Sequence, residues 1–455
     1  MSKNITQALN IRGALRRKRS VMKVAAIATA VATVAVLSAC SSGGSGSGST
    51  SAAAGNATKG SITWWASPIT TSGADPRTVL ISDFEKKYPN IHVKLISAPN
   101  DTDTNRATLT TQISGGGGPD VFMGDVIWPA QFGAHQLAVP LSKYLPKSYW
   151  DTFANGLVAG ATYNGEVYGA PFFEDQGFLY YRKDLLAANN MKVPTTWEEL
   201  VSDAKTIQAK GQVKYGYVFQ GANYEGATCN FMEFLGDAGG TVLNSKADAS
   251  TLDSAAATKA LTFEQSLVTS GVSPQASSTF QETQSMNAFS AGDALFLRNW
   301  DYAYSTSQAS GSAVIGKVGV APMPNFQGQP TPGYSNIGGW NLYVNPHSKN
   351  VAADLTFIKW MTGKDAQTTL ATKFSEIPTN AAVRSSSAVK NANPVLAIVS
   401  QTKLIARPAQ TPNYPEVSQA IYSNVNGVLA GSLTPQQAIQ KASSQINTAV
   451  KNGGL

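Results

Sequence analysis

Cysteine and histidine are scarce in this chain, with two and three copies among 455 residues. The two cysteines, Cys40 and Cys229, exclude a disulfide framework, and Cys229 is expected to be a buried, inert thiol. His92, His135 and His347 stand far apart in no ligand-like spacing, which argues against a zinc site; no metal and no cofactor are expected. Charge is thin as well, at 14% of residues, against 42% hydrophobic. Long apolar runs are missing too. The stretch from Val24 to Leu37 is shorter than the roughly 20 residues a membrane span needs. The glycine run Gly115 to Gly118 lacks the Lys-Ser/Thr ending of a phosphate-gripping loop and reads as a turn between helix and strand.

The formal charge of +7 suggests an acidic partner until its location is examined. Residues 1–40 hold seven basic side chains and no acidic one, which accounts for the whole excess, so nothing argues for a nucleic-acid partner. A basic segment, an apolar stretch and Leu37-Ser38-Ala39-Cys40 form a secretory signal that resembles the lipobox of bacterial lipoproteins. By that resemblance residues 1–39 are a signal peptide and Cys40 carries lipid. Residues 40–60, rich in Ser, Gly, Ala and Thr, would be a tether with an end-to-end distance of about 25 Å. The folded part begins near Ser61 and is long enough for two lobes.

Within it, Ile62 to Trp65 reads as a strand, and Asp75-Pro76 as the cap and first position of a helix bearing Val79, Leu80 and Phe84. Ile91, Val93 and Leu95 alternate as in a second strand, Leu109 and Ile113 mark a second helix, and Asp120 to Met123 a third strand. That β-α-β-α-β order is the pattern of an α/β lobe. Thr196 with Glu199, and Thr434 with Gln437, have the spacing of capping boxes. Leu355, Ile358 and Met361 repeat at helical spacing before Gly363.

Aromatic residues stand beside carboxylates or amides in segments that read as loops: Asp125 with Trp128, Phe173 with Glu174 and Asp175, Asn299-Trp300-Asp301-Tyr302, and Gly338-Gly339-Trp340-Asn341. Sugars need that combination, because their C–H faces lie on rings while their hydroxyls both donate and accept. The same residues serve equally as core tryptophans and surface acids.

Five further segments, read in order, carry a resemblance: Gly117-Gly118-Pro119-Asp120-Val121-Phe122; Tyr168-Gly169-Ala170-Pro171 with Leu179 to Leu185; Pro194-Thr195-Thr196-Trp197-Glu198-Glu199-Leu200; Arg298-Asn299-Trp300; and Gly338-Gly339-Trp340. Together with Phe219 to Phe231, they resemble the sugar-binding proteins of ABC importers, the maltose and trehalose group, from about Ile62 to the C-terminus. The resemblance implies a two-lobed α/β fold of the periplasmic-binding-protein type II kind, with the ligand cleft between hinge-linked lobes. One lobe would comprise residues 61–171 and 338–390, the other 172–337 and 391–455. Hinge crossings would fall near Pro171 to Asp175 and near Ser335 to Gly339.

It also implies site residues: Asp125 and Asp175 as hydroxyl-binding acids, Trp300 as a stacking ring, Gly339 and Trp340 as second-hinge contacts, and Arg407 as a late contact. Glu225 either binds sugar or caps a helix beginning near Ala227, while Ser67 and Asn105 or Arg106 are candidates in first-lobe loops that no motif fixes. The expected partners are a di- or oligosaccharide, the permease's transmembrane subunits and the membrane through Cys40, with the chain a monomer and no enzyme. The competing expectation is a secreted glycoside hydrolase using Glu174, Asp175 and Asp301, which would need two carboxylates at a defined separation across one bond.

Overall fold

The computed structural model describes residues 56–71 and 73–451; the signal segment, Cys40 and most of the tether lie outside the described residues. Thirteen strands occur among them: β1 (Gly60–Ala66), β2 (Ile91–Ser97), β3 (Val121–Asp125), β4 (Thr162–Tyr163), β5 (Glu166–Val167), β6 (Ala170–Gln176), β7 (Phe178–Arg182), β8 (Tyr215–Val218), β9 (Ala294–Asn299), β10 (Val318–Ala321), β11 (Tyr334–Val344), β12 (Ile377–Pro378) and β13 (Lys403–Ile405).

They build two main sheets. The first runs β12-β6-β11-β3-β1-β2, with β13 attached to β11, and the second runs β10-β7-β9-β8. β1 pairs in parallel with both β2 and β3, as the β-α-β-α-β reading requires. The helices Pro76–Lys87 and Thr102–Ser114 make the crossovers. The first begins at Asp75, whose side chain accepts from the Arg77 amide. Asn105 and Arg106 lie inside the second helix, not in loops: Asp101 caps it through the Thr104 amide and so starts it upstream of them.

Four buried clusters cover the faces of the two sheets. Ile62, Trp64, Val121, Leu342 and Phe172 pack against Leu80, Phe84, Phe357 and Ile358 on one face of the first sheet. Phe122, Tyr343, Leu109, Ile113 and Trp128 fill the other. Leu179, Tyr217 and Phe296 of the second sheet meet Trp197, Leu200, Phe231, Leu261 and Ile421. The opposite face of that sheet, with Phe178, Tyr180 and Leu297, takes Phe289 together with Val383, Val389 and Val395. Val383 and Val389, from the stretch expected in the first lobe, therefore contribute to a core cluster of the second sheet.

The chain crosses between the sheets where β6 runs on through Gly177 into β7. It crosses again along β11. At the start of that strand the Tyr334 amide donates to Asp237 (2.7 Å) and the Asn336 amide to Glu233 (2.9 Å) on the helix Glu225–Asp237. Its later residues, Gly338 to Leu342, pair with β6. Capping boxes start the helix Trp197–Ala209 at Thr196 and, through Thr434 and Gln437, the helix Pro435–Lys451. No helix among the described residues is long and apolar enough to cross a membrane.

One buried acid in the second core stands outside any network. Glu264 is fully buried with neither oxygen bonded, and burial, with a smaller push from Glu233, raises its carboxyl from 4.5 to about 8. A raised acid contributes stability that is whole below its unfolded pKa and is lost as pH climbs toward the folded value. The melting temperature should therefore fall between about pH 5 and pH 8, and Glu264→Gln should flatten that slope. A slope identical in the two proteins would show that Glu264 is hydrated and titrates normally.

Candidate functional site

Between the two sheets lies a cleft lined from both sides. From the first sheet come Asp125 at the end of β3, Phe173 and Asp175 on β6, and Gly338, Gly339 and Trp340 on β11. Across it stand Tyr224, Glu225, Gln281, Glu282, Trp300 and Tyr302, with Arg407 following β13. Asp125, Asp175, Glu225, Trp300, Gly339, Trp340 and Arg407, seven of the candidates from sequence, thus line one cavity.

Arg407 is one of its lining residues. Its guanidinium donates to both carboxylate oxygens of Asp125, at 2.8 and 3.2 Å, and to Glu225 Oε1 at 2.9 Å. Tyr414 and Ser418 donate to the Glu225 carboxylate as well. All three charged groups are buried, at 5%, 7% and 3% exposure for Arg407, Asp125 and Glu225. Burial works against the guanidinium's charge, yet Asp125 and Glu225 beside it hold its pKa well above the ordinary value. Burial raises the Glu225 carboxyl, with Arg407 opposing and Asp125 adding to the rise. The Glu225 amide opens the helix Glu225–Asp237 and donates to Asp103 of the facing half at 3.3 Å. The helix begins at Glu225 itself, two residues earlier than Ala227, and the Glu225 side chain points to Arg407 rather than capping its own helix.

The aromatic residues divide. Trp300 is partly exposed to the cleft, held by its Nε1–H donating to Glu282 (3.3 Å) and by the Arg298 guanidinium 4.0 Å from the ring. Arg298 is itself locked to Glu233 at 2.6 Å in full burial. Trp340 also reaches the cleft, whereas Trp128 is core: it is 1% exposed, stacked on Phe132 and edge-on to Trp340. The core reading therefore holds for Trp128 and not for the other two.

Two glycines make room for this. Gly339 has φ of +120°, and a Cβ there would lie 2.5 Å from the Phe173 carbonyl oxygen. At Gly338 a Cβ would lie 3.1 Å from the Trp300 ring. A side chain at either position would push the indole or β6 aside.

Ser67 and Asn105 do not line the cavity. Ser67 donates to the Pro99 carbonyl and accepts from Asn105, whose oxygen takes the Trp65 indole N–H at 2.7 Å. They brace the loops that carry Ile69, Thr70 and Asn100 into the cleft. Those three, with Gln281, Glu282 and Tyr302, were not singled out as binding residues from sequence, although Tyr302 stands in a segment marked there. Of the carboxylates considered for hydrolysis, Asp175 alone lines the cleft. Glu174 is held by Arg384 at 2.6 Å, and Asp301 accepts from the Ile377 amide behind the wall.

A cleft between two α/β halves, crossed by several strands and lined from both sides, defines a protein that encloses a small solute. Residues 67–368 match the bacterial extracellular solute-binding protein family, and the chain belongs to it. A probable ABC transporter-binding protein of Deinococcus radiodurans is 35% identical over 78% of this chain and 86% of its own length. Maltose-bound MalE3 of T. maritima superposes with a TM-score of 0.80 at 34% identity, over 85% of this chain and 99% of that one. A Thermotoga lettingae ABC transporter solute-binding protein bound to α-D-tagatose gives 0.76 at 25%, over 86% and 99%. The fold is accordingly the two-lobed α/β fold of solute-binding proteins.

Removing the guanidinium would leave two buried acids from opposite halves facing each other. Arg407→Met should lower stability by about 3–5 kcal/mol at about pH 7, and by less at about pH 4, where Glu225, its carboxyl raised by burial, can take a proton. Denaturant melts at the two pH values check this; equal losses at both would mean that charge pairing is not what Arg407 supplies.

Proposed function

We propose that this chain is the extracytoplasmic binding component of an ABC importer and that it captures a neutral di- or oligosaccharide of the trehalose or maltose kind. The observation that carries the reading is the meeting of two partly exposed indoles, Trp300 and Trp340, with Asp125, Asp175, Glu225 and Arg407 around one cleft. Rings take the apolar faces of a pyranose, and the charged groups orient its hydroxyls. Similarity to a maltose-bound protein at 34% identity supports a sugar as ligand, and the name of the Deinococcus relative supports the transport role.

Charge narrows the ligand class. Among the described residues the cleft is lined by Asp125, Asp175, Glu225 and Glu282 against the single cation Arg407, which is already engaged. An anionic solute would meet uncompensated repulsion in a poorly solvated space, while a neutral polyol meets donors and acceptors. Micromolar affinity, roughly −8 kcal/mol, is within reach of several net hydrogen bonds at ~1 kcal/mol each plus stacked rings.

In this reading the moving bodies follow residues 61–171 with 338–390 and 172–337 with 391–455, except that the rest of β6 goes with the first sheet and Val383 and Val389 with the second, and a sugar closes them by binding the closed arrangement better than the open one. The monomer then delivers its load to the permease's transmembrane subunits. Lipid on Cys40 and the tether of residues 40–60 keep it at the membrane's outer face.

Calorimetry against a sugar panel tests the ligand. A neutral disaccharide should bind, its phosphorylated counterpart should not, and free glucose should not appear from maltose or trehalose at enzymatic rates. Trp300→Ala should weaken binding about ten-fold or more while the unliganded melting temperature moves by a few degrees at most. A variant that unfolds would return Trp300 to the core, and a panel without any binder would sink the assignment. For the anchor, Cys40→Ser should move the expressed protein from the detergent to the aqueous phase on partitioning; identical partitioning of both forms would contradict lipidation.

A further inference from the structure

Behind the cleft wall three carboxylates from distant parts of the chain come together. Asp175 on β6, Asp301 just after β9 and Glu376 just before β12 each bring an oxygen within 4.8 Å of the others. Asp301 and Glu376 are fully buried and Asp175 is 7% exposed. One oxygen, Asp301 Oδ2, accepts from the Ile377 amide at 2.9 Å. Asp175 Oδ1, Asp301 Oδ1 and both Glu376 oxygens are buried and take no hydrogen bond from outside the cluster, within which Asp175 is at hydrogen-bonding distance from Asp301 and Glu376.

Among the described residues no lysine or arginine forms an ion pair with any of the three. The nearby guanidiniums are engaged elsewhere: Arg407 with Asp125 and Glu225, Arg384 with Glu174, and Arg298 with Glu233. A separate buried group lies within reach of the same charges. The Tyr302 hydroxyl, on a residue only 7% exposed, also lacks a partner. Burial, then the charges of Glu282, Asp175, Glu376 and Asp301, keep its proton on, so it offers the cluster a neutral oxygen.

Buried carboxylates without cationic neighbours are strongly unfavourable unless something positive joins them. The free donors here are all oxygen, which suits a hard cation and not zinc or copper. Calcium accepts irregular sets of protein oxygens, whereas magnesium demands near-octahedral geometry and keeps several waters. We propose that Asp175, Asp301 and Glu376 form a calcium site, completed by Tyr302, that fastens the crossing strand β6 to the end of β9 and to β12. Since Asp175 also faces the cleft, the ion would fix the orientation of a ligand-facing side chain.

The test uses the full-length protein, stripped with EGTA, dialysed and melted with no sugar present. Calcium chloride should raise the melting temperature by several degrees, magnesium chloride by much less, and atomic emission should find a single calcium ion per chain. Glu376→Gln and Asp301→Asn should abolish the calcium response while melting, when stripped, at or above the wild-type temperature, because each removes an uncompensated buried charge. A wild-type protein indifferent to calcium would overturn the proposal and leave the three acids sharing protons. An undiminished response in Glu376→Gln would overturn it as well. If either variant fails to fold, the wild-type titration and stoichiometry still decide. Because these melts contain no sugar, their outcome is separate from that of the solute-binding assignment.

Discussion

The contact on which the cleft depends is one guanidinium between two carboxylates that belong to opposite halves. Asp125 ends a strand of the first sheet, Glu225 begins a helix packed on the second, and Arg407 follows the short strand joined to β11. Two acids brought together in a poorly solvated space repel strongly; with the arginine between them the group keeps one net negative charge and most of its hydrogen bonds. Tyr414 and Ser418 then donate to the Glu225 carboxylate alongside Arg407. A ligand hydroxyl entering here meets acceptors that are already oriented, so part of the ordering it would otherwise have to impose is in place.

What the ion bridge does for charge, the crossing strands do for shape. β6 runs from the first sheet into β7 of the second, and β11 is tied to Glu233 and Asp237 at one end and paired with β6 and β3 along the rest. The Trp300 ring lies against Gly338, and Arg298, locked to Glu233, holds the ring from the second half. The stacking surface therefore rests on the segment about which the halves would turn. The close approach of Trp300 at Gly338 and of β6 at Gly339 is a reason for glycine at two successive positions of β11.

Local signals were legible wherever the chain itself carries the cause. Asp75-Pro76, Thr196 with Glu199, and the alternation of Ile91, Val93 and Leu95 each act within a few residues, and each appears in the structure at its expected place. Asp125, Asp175, Glu225, Trp300, Gly339, Trp340 and Arg407, all suggested by resemblance to the family, line one cavity, whereas Ser67 and Asn105, which no motif fixes, do not. What stayed hidden depends on contacts between distant segments. Whether Trp128 is core or cleft is decided by Phe132 and Trp340, and the role of Glu225 by Arg407, far along the chain. Asn105 looked like a loop residue because nothing beside it fixes the helix start; Asp101 does. Histidine and cysteine spacing likewise says nothing of three acids far apart in sequence that the fold gathers.

The arrangement of acids also bears on why this cleft suits holding better than cutting. Glycoside hydrolysis needs one carboxyl that donates a proton and one that attacks or activates water, about 5 to 9.5 Å apart with the scissile bond between them. Here Asp125 and Glu225 share Arg407, which holds both as acceptors, and Glu174 is committed to Arg384. Asp175 remains, its carboxyl raised by burial. Its companions in the buried cluster, Asp301 and Glu376, do not line the cleft. Asp175, whose two companions do not reach the cleft, is placed to orient a hydroxyl held there.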